Sequence, residues 1–267
     1  MISFPNAKIN IGLNVVSKRT DGYHNLETIF YPVHLADALE MVVSEKTELT
    51  VSGLLVDGES DDNLILKAYH LLKEDFDLSP VKFHLHKVIP FGAGLGGGSS
   101  DAAFTLKMLN ELFKLGLNIN QLENYAAKLG ADCAFFIQNK STFATGIGNQ
   151  FQHVNLDLSE YQIVIIKPNI NVSTKNAYQN ITPKQPAFHL PELIKKPPKD
   201  WKNKVINDFE ESVFNRFPQF ANLKEMLYKS GAEYASMSGS GSALFGVFRH
   251  LPMDLDKKIP DGILIYR

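Results

Sequence analysis

Strict alternation of apolar and polar residues predicts two half-buried strands in the first third of the chain. Residues 7–16 alternate in this way, with Lys8 and Asn10 next to each other on the polar face. Residues 81–88 show the same pattern. A period of two residues is typical of a strand with one face on a core. The first strand therefore presents its lysine and its asparagine on the same side.

Other apolar runs predict the remaining elements. Further strands are expected at 28–33, 39–44, 49–52, 161–167, 233–237 and 243–248, with a hairpin at 143–151. Helices are expected at 64–72, 100–115, 120–129, 207–217 and 220–229, with a short one that starts at Ser173 or Thr174. Asp61, Asp62 and Asn63 precede the first helix, so one of them is expected to cap it. Residues 183–200 hold five of the thirteen prolines and predict an irregular, exposed connection.

The composition narrows the class of protein. The 267 residues are 44% hydrophobic and 21% charged, with a formal net charge of −2, which argues against binding nucleic acid through bulk charge. No apolar run reaches the roughly 20 residues that span a bilayer, and the single cysteine leaves no internal disulfide. We expect a cytoplasmic protein with no nucleic-acid or membrane partner, and a domain boundary that separates residues 1–155 from 156–267.

Residues 90–103 are the most informative segment. Five of the first nine are glycine, and the segment lies between a predicted strand and a predicted helix. Glycines let backbone N–H groups close on a ligand, and a helix start adds partial positive charge. The segment therefore predicts an anion site, most simply for phosphate. The alternative is a tight turn with serine caps, but such a turn needs one or two glycines rather than five.

Three familiar phosphate loops fit this segment poorly. Gly92, Gly94 and Gly97 match the spacing of a dinucleotide-binding loop, but that fold continues with a strand bearing an acidic residue, and here a second helix is predicted. A Walker A loop ends in Gly-Lys-Ser or Gly-Lys-Thr, whereas this one ends in Gly-Gly-Ser-Ser. The glycine loop of protein kinases lies between two strands and precedes a strand lysine, which is also missing.

The segment resembles the ATP-binding loop of the GHMP kinase superfamily, whose pattern is Pro-x-x-x-Gly-Leu-Gly-Ser/Gly-Ser-Ser. Residues 238–242, Ser-Gly-Ser-Gly-Ser, resemble that superfamily's C-terminal glycine loop, and residues 5–10 resemble its N-terminal motif. The matches run from residue 5 to residue 248. The resemblance implies a two-domain α+β GHMP kinase fold. Its N-terminal ATP-binding domain would be like ribosomal protein S5 domain 2, and its C-terminal domain would be ferredoxin-like.

A finer set of motifs is similar to one branch of this superfamily, the ATP-dependent kinases of the non-mevalonate isoprenoid route. The distinguishing element is Asp-Gly-Tyr-His at 21–24, accompanied by Gly-Ala-Asp at 130–132 and Asn-Asp-Phe-Glu at 207–210. This likeness implies that ATP with Mg²⁺ donates its γ-phosphate to the 2-hydroxyl of a cytidine diphosphate sugar alcohol. The oligomeric state stays open between a monomer and a homodimer.

The resemblance assigns catalysis to Asp132 as base and to Lys8 as its partner. These two roles are chemically sound, because a carboxylate within about 3 Å of an alcohol can take its proton, and a nearby lysine stabilises the ionised carboxylate. The alternatives are a helix N-cap for Asp132 and a solvated strand face for Lys8. The residues expected to bind ATP are Asn63, Pro90, Gly92, Gly94, Leu95, Gly96, Gly97, Gly98, Ser99 and Ser100.

Several of these assignments have a structural alternative. Ser99 and Ser100 would contact phosphate, or Mg²⁺ in the case of Ser100, but they could instead cap the helix. Asn63 could likewise be only an N-cap. The residues expected to bind the acceptor are Asn10, Tyr23, His24, Thr174, Tyr178 and Gly239. Among these, the two tyrosines would hold the pyrimidine between their rings, and the histidine would bond its edge.

Two other functions stay open. One is another small-molecule kinase of the superfamily, such as a homoserine or mevalonate kinase, which would give no reason for the Asp-Gly-Tyr-His element. The other is a non-catalytic sensor of nucleotide or metabolite, which would be expected to lack Lys8 or Asp132. His84 and His86 have a spacing that could grip a metal, but no third ligand is evident. Cys133 is expected to be a small buried residue.

Overall fold

The computed structural model describes residues 1–54, 63–179 and 181–267. The described chain divides into two compact units. The first consists of residues 1–8, 32–91 and 96–140, and the second of residues 9–31, 92–95 and 141–267. Because residues 9–31 belong with the C-terminal half of the chain, this division differs from a single boundary near residue 155. The domain division at that position stays a prediction.

The first unit contains a four-stranded sheet in the order β1-β4-β6-β5. Its strands are β1 (Ile2–Ser3), β4 (Ala38–Val43), β5 (Glu48–Gly53) and β6 (Val81–Lys87). Its helices are α1 (Leu64–Lys73), α2 (Gly97–Leu112), α3 (Ile119–Leu129) and α4 (Phe135–Gln138). Strand β6 is antiparallel to β4 and parallel to β5. The parallel pair follows from the crossover through α1, which returns the chain to the same end of the sheet.

Strand β6 shows why one face of this sheet is covered. Every second residue from Val81 to Lys87 is buried, and the residues between them are exposed. Phe83, on the buried face, packs edge-on against Tyr69 of α1 with 6.1 Å between ring centroids. Helix α1 in turn packs against α2. The predicted alternation is therefore confirmed, and it includes a lysine at a buried position.

Helix α1 begins as the polar residues before it predict. The side chain of Asn63 accepts a hydrogen bond from the N–H of Ile65 at 2.9 Å, which makes Asn63 the N-cap. This arrangement satisfies one of the N–H groups that a helix start leaves without a partner. Asp61 and Asp62, the other two candidates for the cap, lie outside the described residues.

The second unit contains two further sheets, in the orders β2-β3-β7-β8 and β10-β11-β9-β12. The strands of the first are β2 (Asn6–Lys18), β3 (His24–Ala36), β7 (Thr142–Thr145) and β8 (Gln150–His153). The strands of the other are β9 (Gln162–Lys167), β10 (Tyr234–Met237), β11 (Leu244–Phe248) and β12 (Leu264–Tyr266). The helices are α5 (Thr174–Gln179), α6 (Leu190–Leu193), α7 (Phe209–Arg216), α8 (Gln219–Lys229) and α9 (Leu255–Lys258). Strand β2 starts, and β3 ends, with residues of the first unit.

The C-terminal sheet has the predicted ferredoxin-like arrangement. The chain runs from β9 through helices to β10 and β11, then through α9 to β12, which is a β-α-β-β-α-β order. All neighbouring strands in this sheet are antiparallel. Helix α8 packs on β10 and β11, and its buried Phe220 and Leu227 join Val164 and Phe248 in one apolar core. This part of the fold is as expected.

The segment at 183–200 differs from its prediction as an exposed, irregular connection. It contains α6 and a 3₁₀ turn, and Leu190 is only 1% exposed. A methyl carbon of Leu190 lies 2.7 Å from the point where a Cβ on Gly12 would stand, so the segment packs directly on β2. The N–H of Lys184 also donates to the carbonyl of Val15 at 3.0 Å. The prediction holds for residues 183–189, which are irregular and mostly exposed, and it was wrong from Leu190 on because a four-residue helix is too short to show a period.

Candidate active site

Lys8 and Asp132 form an ion pair in the first unit. The Nζ of Lys8 lies 3.3 Å from Oδ2 of Asp132. The lysine side chain is 4% exposed, whereas the aspartate is 33% exposed and can therefore be reached from solvent. Asp132 lies in a turn before α4, whose N-cap is Ala134 and has no side-chain hydrogen bond. Asp132 is thus not the N-cap of this helix, and Lys8 is not on a solvated face.

Helix α2 begins at Gly97, before the predicted start at Ser100, and its first turn is uncapped. The N-cap residue is Gly96, with a φ of +72° and no side-chain hydrogen bond. The first bond of the helical pattern runs from the N–H of Ser100 to the carbonyl of Gly96 at 2.9 Å. The preceding N–H groups have no acceptor within the helix, and the helix dipole adds partial positive charge there. A turn closed by serine caps is therefore not what the structure shows.

The Lys8–Asp132 pair lies next to this helix start. A Cβ placed on Gly96 would stand 3.2 Å from Cγ of Lys8 and 2.9 Å from a ring carbon of Phe136. The stem of the lysine therefore runs along the N-cap residue of α2. The first unit thus brings together a carboxylate, an ammonium group and the N–H groups that precede the first helical hydrogen bond of α2.

Glycine stands at different positions of the loop for different physical reasons. Gly92, Gly94 and Gly96 have positive φ angles, of 62°, 76° and 72°. A Cβ on Gly94 would also lie 2.1 Å from the carbonyl oxygen of Ser238, so no other residue fits there. Gly98 is helical, and a Cβ on it would meet nothing nearer than a methyl carbon of Leu64 at 3.8 Å. A side chain as small as that of alanine would therefore fit at Gly98, which is partly exposed.

The two serines after the glycines differ in accessibility. Ser100 is fully buried, and its hydroxyl has no hydrogen-bond partner among the described residues. Ser99 is partly exposed and hydrogen-bonds the thiol of Cys133. Burial is the main reason why the pKa of that thiol is raised to about 11. Ser99 is therefore the serine with access to a ligand, and the Cys133 thiol stays neutral at physiological pH.

In the second unit, His24 and Tyr178 form a stacked pair. Their ring centroids are 5.0 Å apart and their planes are inclined by 21°. Burial, and then the charge of Lys18, lower the pKa of His24. Tyr23, the other predicted ring of the clamp, is 63% exposed. The structure thus pairs Tyr178 with the histidine, and it leaves the Tyr23 ring open to solvent.

Asn10 and Thr174 both take part in hydrogen bonds within the second unit. The amide nitrogen of Asn10 donates to the hydroxyl of Thr28 at 2.9 Å. The backbone N–H of Asn10 donates to the Ser238 hydroxyl at 3.2 Å, and that hydroxyl donates to the carbonyl of Gly94 at 2.8 Å. The hydroxyls of Thr174 and Ser240 are 2.9 Å apart. Thr28 and Ser238 were not among the predicted site residues.

Asn207 belongs to the Asn-Asp-Phe-Glu motif at 207–210, for which no role was predicted. Its amide nitrogen donates to the carbonyls of Met237 and Gly239, each at 2.8 Å, and it is 3% exposed. It therefore fixes the glycine loop at 238–242, which includes the predicted acceptor-binding Gly239. The buried Pro90 and Leu95 carry no polar side chain, so any contribution to ATP binding would be through shape or backbone. The side chain of Asn63 is committed to capping α1.

The histidine pair on β6 shares one hydroxyl. The Oγ of Ser52 lies 2.9 Å from Nε2 of His84 and 3.0 Å from Nδ1 of His86. Across residues 1–54, 63–179 and 181–267, no group of three or more His, Cys, Asp or Glu side chains could hold a metal. Over the same residues, every helix is too short or too polar to cross a membrane.

Comparisons with known proteins identify the family. Residues 63–140 match the family described as GHMP kinases N terminal domain, and residues 192–254 match GHMP kinases C terminal. A 4-diphosphocytidyl-2-C-methyl-D-erythritol kinase from Bacteroides fragilis is 56% identical over 252 residues, which cover 93% of this chain and 92% of the relative.

Two solved structures show the same architecture. A 4-(cytidine 5'-diphospho)-2C-methyl-D-erythritol kinase is 32% identical, with a TM-score of 0.80 over 92% of this chain and 90% of the other. The mevalonate kinase of Methanococcus jannaschii is 14% identical, with a TM-score of 0.74 over 100% of this chain and 96% of the other, and it shows the fold alone. The predicted two-domain α+β fold is thereby confirmed.

Proposed function

The chain belongs to the GHMP kinase family and, within it, to the 4-diphosphocytidyl-2-C-methyl-D-erythritol kinases, and we propose that it phosphorylates the 2-hydroxyl of 4-diphosphocytidyl-2-C-methyl-D-erythritol with ATP. The products are ADP and the 2-phosphate, a step in non-mevalonate isoprenoid precursor biosynthesis. The observation that carries the proposal is the Lys8–Asp132 pair, which lies beside an uncapped helix start in the first unit.

Asp132 is the proposed general base. As the 2-hydroxyl oxygen bonds to the γ-phosphorus, the bond from that phosphorus to the oxygen of ADP breaks, and the hydroxyl proton passes to the carboxylate. Its 33% exposure leaves the carboxylate accessible to an alcohol. Lys8, at 3.3 Å, stabilises the carboxylate and offsets charge on the transferring group. A base of this kind contributes roughly 10²–10⁴ in rate.

The first turn of α2 is the proposed phosphate site. The N–H groups of Gly97, Gly98 and Ser99 precede the first helical hydrogen bond and are available to phosphate oxygens. Mg²⁺ is proposed to enter with ATP, because this ion usually keeps several waters and binds through phosphates with one or two protein ligands. The absence of a three-residue metal cluster among the described residues fits that mode. Of the two hydroxyls, accessible Ser99 is better placed than buried Ser100.

The acceptor is proposed to bind residues of the second unit. The Tyr178 ring stacked on His24 offers a flat face for a pyrimidine, and Tyr23 is exposed enough to close over the other face. Asn10 is two residues from Lys8 on β2, so it is expected to contact the part of the acceptor next to the reacting hydroxyl. Thr174 and Gly239 are proposed to contact the same ligand.

The substrate is tested by an assay of ADP release. The purified protein would be offered MgATP with 4-diphosphocytidyl-2-C-methyl-D-erythritol, mevalonate, homoserine or galactose in parallel. Turnover is expected with the first compound and not with the other three. If the cytidine compound gives no turnover above buffer while another alcohol does, the assigned substrate is wrong and only kinase activity remains.

The base is tested by Asp132→Asn. This change keeps the size of the side chain but removes its ability to accept the proton. We expect kcat to fall at least a hundredfold, while the Kd of a non-hydrolysable ATP analogue stays within threefold. The matched control is Asp77→Asn, which changes an exposed aspartate that follows α1. A variant that keeps kcat within threefold of wild type would remove Asp132 from this role.

A further inference from the structure

Three charged side chains are buried together in the first unit. Lys87 is 3% exposed, Asp37 1% and Asp101 3%. The ammonium group of Lys87 donates to Oδ2 of Asp37 at 2.5 Å and to Oδ2 of Asp101 at 2.8 Å. Even a well-paired cluster of buried charges is weak evidence for a gain in stability, so stability alone does not explain this one.

The cluster holds both ends of the phosphate loop. At one end, Oδ1 of Asp37 accepts hydrogen bonds from the N–H groups of Val88 and Ile89, at 2.6 and 2.8 Å, directly before Pro90. At the other end, Asp101 lies in the second turn of α2. Lys87 joins the two carboxylates. The residues at which the loop leaves β6 and enters α2 are therefore tied together through one ammonium group.

The same ammonium group touches the first residue of the phosphate-binding helix. A Cβ placed on Gly97 would stand 2.9 Å from Nζ of Lys87 and 2.9 Å from a methyl carbon of Ile89. Gly97 has no positive φ, so its backbone does not require glycine. The missing side chain instead allows the helix start to rest directly on the lysine. The ammonium group thus lies against the first turn of α2, together with the two carboxylates whose negative charge it offsets.

We propose that Lys87 is a positioning residue for phosphoryl transfer, which fixes the phosphate loop at both ends and offsets the negative charge of Asp37 and Asp101 behind its first helical turn. The inference rests on the proposed function only in taking this loop as the ATP site. Such fixed charge and geometry lower the reorganisation that binding and transfer require. Lys87 acts through the loop and is not expected to touch the substrates.

The test compares two variants that change the charge of the cluster in opposite directions. Lys87→Met removes the positive charge and keeps the apolar stem. Asp101→Asn removes a negative charge and keeps an oxygen that can accept from Lys87. The matched control is Lys107→Met, since Lys107 is a partly buried lysine farther along α2 whose Nζ donates to the carbonyl of Phe136. Folding is checked by circular dichroism.

The main measurement is the Kd of the magnesium complex of the ATP analogue AMP-PNP, without any acceptor. Lys87→Met is expected to weaken binding at least tenfold. Asp101→Asn is expected to bind within threefold of wild type or more tightly, and Lys107→Met within threefold. A merely structural ion pair would predict the same loss in the first two variants, and that result would overturn the proposal.

Further outcomes keep the proposal separate from the proposed function. A folded Lys87→Met protein that binds AMP-PNP within threefold of wild type overturns it. If that variant does not fold, a tenfold loss in Asp101→Asn overturns the proposal, whereas unchanged or tighter binding supports it. If the wild type binds AMP-PNP but does not phosphorylate the cytidine substrate, the substrate assignment fails, and the binding comparison still decides the role of Lys87.

Discussion

Replacing Gly98 with alanine should separate the stability of the phosphate loop from its ligand binding. Gly98 lies in the first turn of α2, and a Cβ there would meet nothing nearer than Leu64 Cδ1, at 3.8 Å. That distance is an ordinary van der Waals contact, so the new methyl group fits the folded protein. Alanine is favoured over glycine in a helix by up to about 1 kcal/mol. We therefore expect a gain of roughly 0.5–1 kcal/mol in the free energy of unfolding, and about 2 °C in Tm.

Ligand binding should change in the opposite direction. The methyl group would lie in the first turn of α2, beside the N–H groups that are proposed to face phosphate. A loss of at least tenfold in affinity for the magnesium complex of AMP-PNP is expected, which corresponds to about 1.4 kcal/mol. Calorimetric titration gives this Kd, and a thermal scan of the same samples gives Tm.

Gly97→Ala is the matched control one residue earlier. A Cβ on Gly97 would stand 2.9 Å from both Lys87 Nζ and Ile89 Cγ2, so this change is expected to lower Tm. A Gly98→Ala protein that is more stable and binds the analogue as tightly as wild type would contradict the predicted loss of affinity. A Gly98→Ala protein that is less stable would instead show that the position is not open.

Three further predictions concern residues that take no part in the proposed reaction. Asn207→Ala should lower the free energy of unfolding in urea by about 1–3 kcal/mol, because the buried carbonyls of Met237 and Gly239 lose their donor. The Cys133 thiol, with its pKa raised by burial to about 11, should react with iodoacetamide at pH 8 far more slowly in the native protein than in urea. Burial lowers the pKa of Lys107 from 10.5 to about 8. Between these two pH values the unfolded state binds more protons than the folded state, so the free energy of unfolding, measured in urea, should rise with pH. The rise should be smaller in Lys107→Met.

Strand β6 could be predicted because burial on one face leaves a period of two in the sequence. Strand β2 has the same period, but its polar face is also buried, from Ala7 to Val15, so the expectation of a half-buried strand was wrong there. The start of α2 could not be predicted. Gly97 and Gly98 are poor helix formers, so the pattern places the first helical residue at Ser100. Tertiary contacts override that local preference, since Gly97 rests on the side chains of Lys87 and Ile89. The short helix α6 was missed for a different reason, because four residues contain too little of a helical period.

In the candidate site, too, residues that belong to a local motif could be predicted, whereas a cluster formed by residues distant in sequence could not. Lys8 and Asp132 were identified through motifs, and the structure pairs their side chains, while their catalytic roles stay a prediction. The cluster of Lys87 with Asp37 and Asp101 was missed, because its members are far apart in sequence and each looks like a surface charge. One signal was present. Lys87 falls on the buried phase of the alternation in β6, where a lysine requires partners.

The number of glycines in the loop was the first reason to expect an anion site, and the structure changes what that number means. Gly94 is required because Ser238 lies against it, and Gly97 because Lys87 does. These two glycines are needed for folding, whatever the loop binds. Gly98 has a helical backbone and room for a Cβ, so neither strain nor packing requires glycine there. Phosphate binding is therefore inferred from the N–H groups near Gly98 rather than from the glycine content of the whole loop.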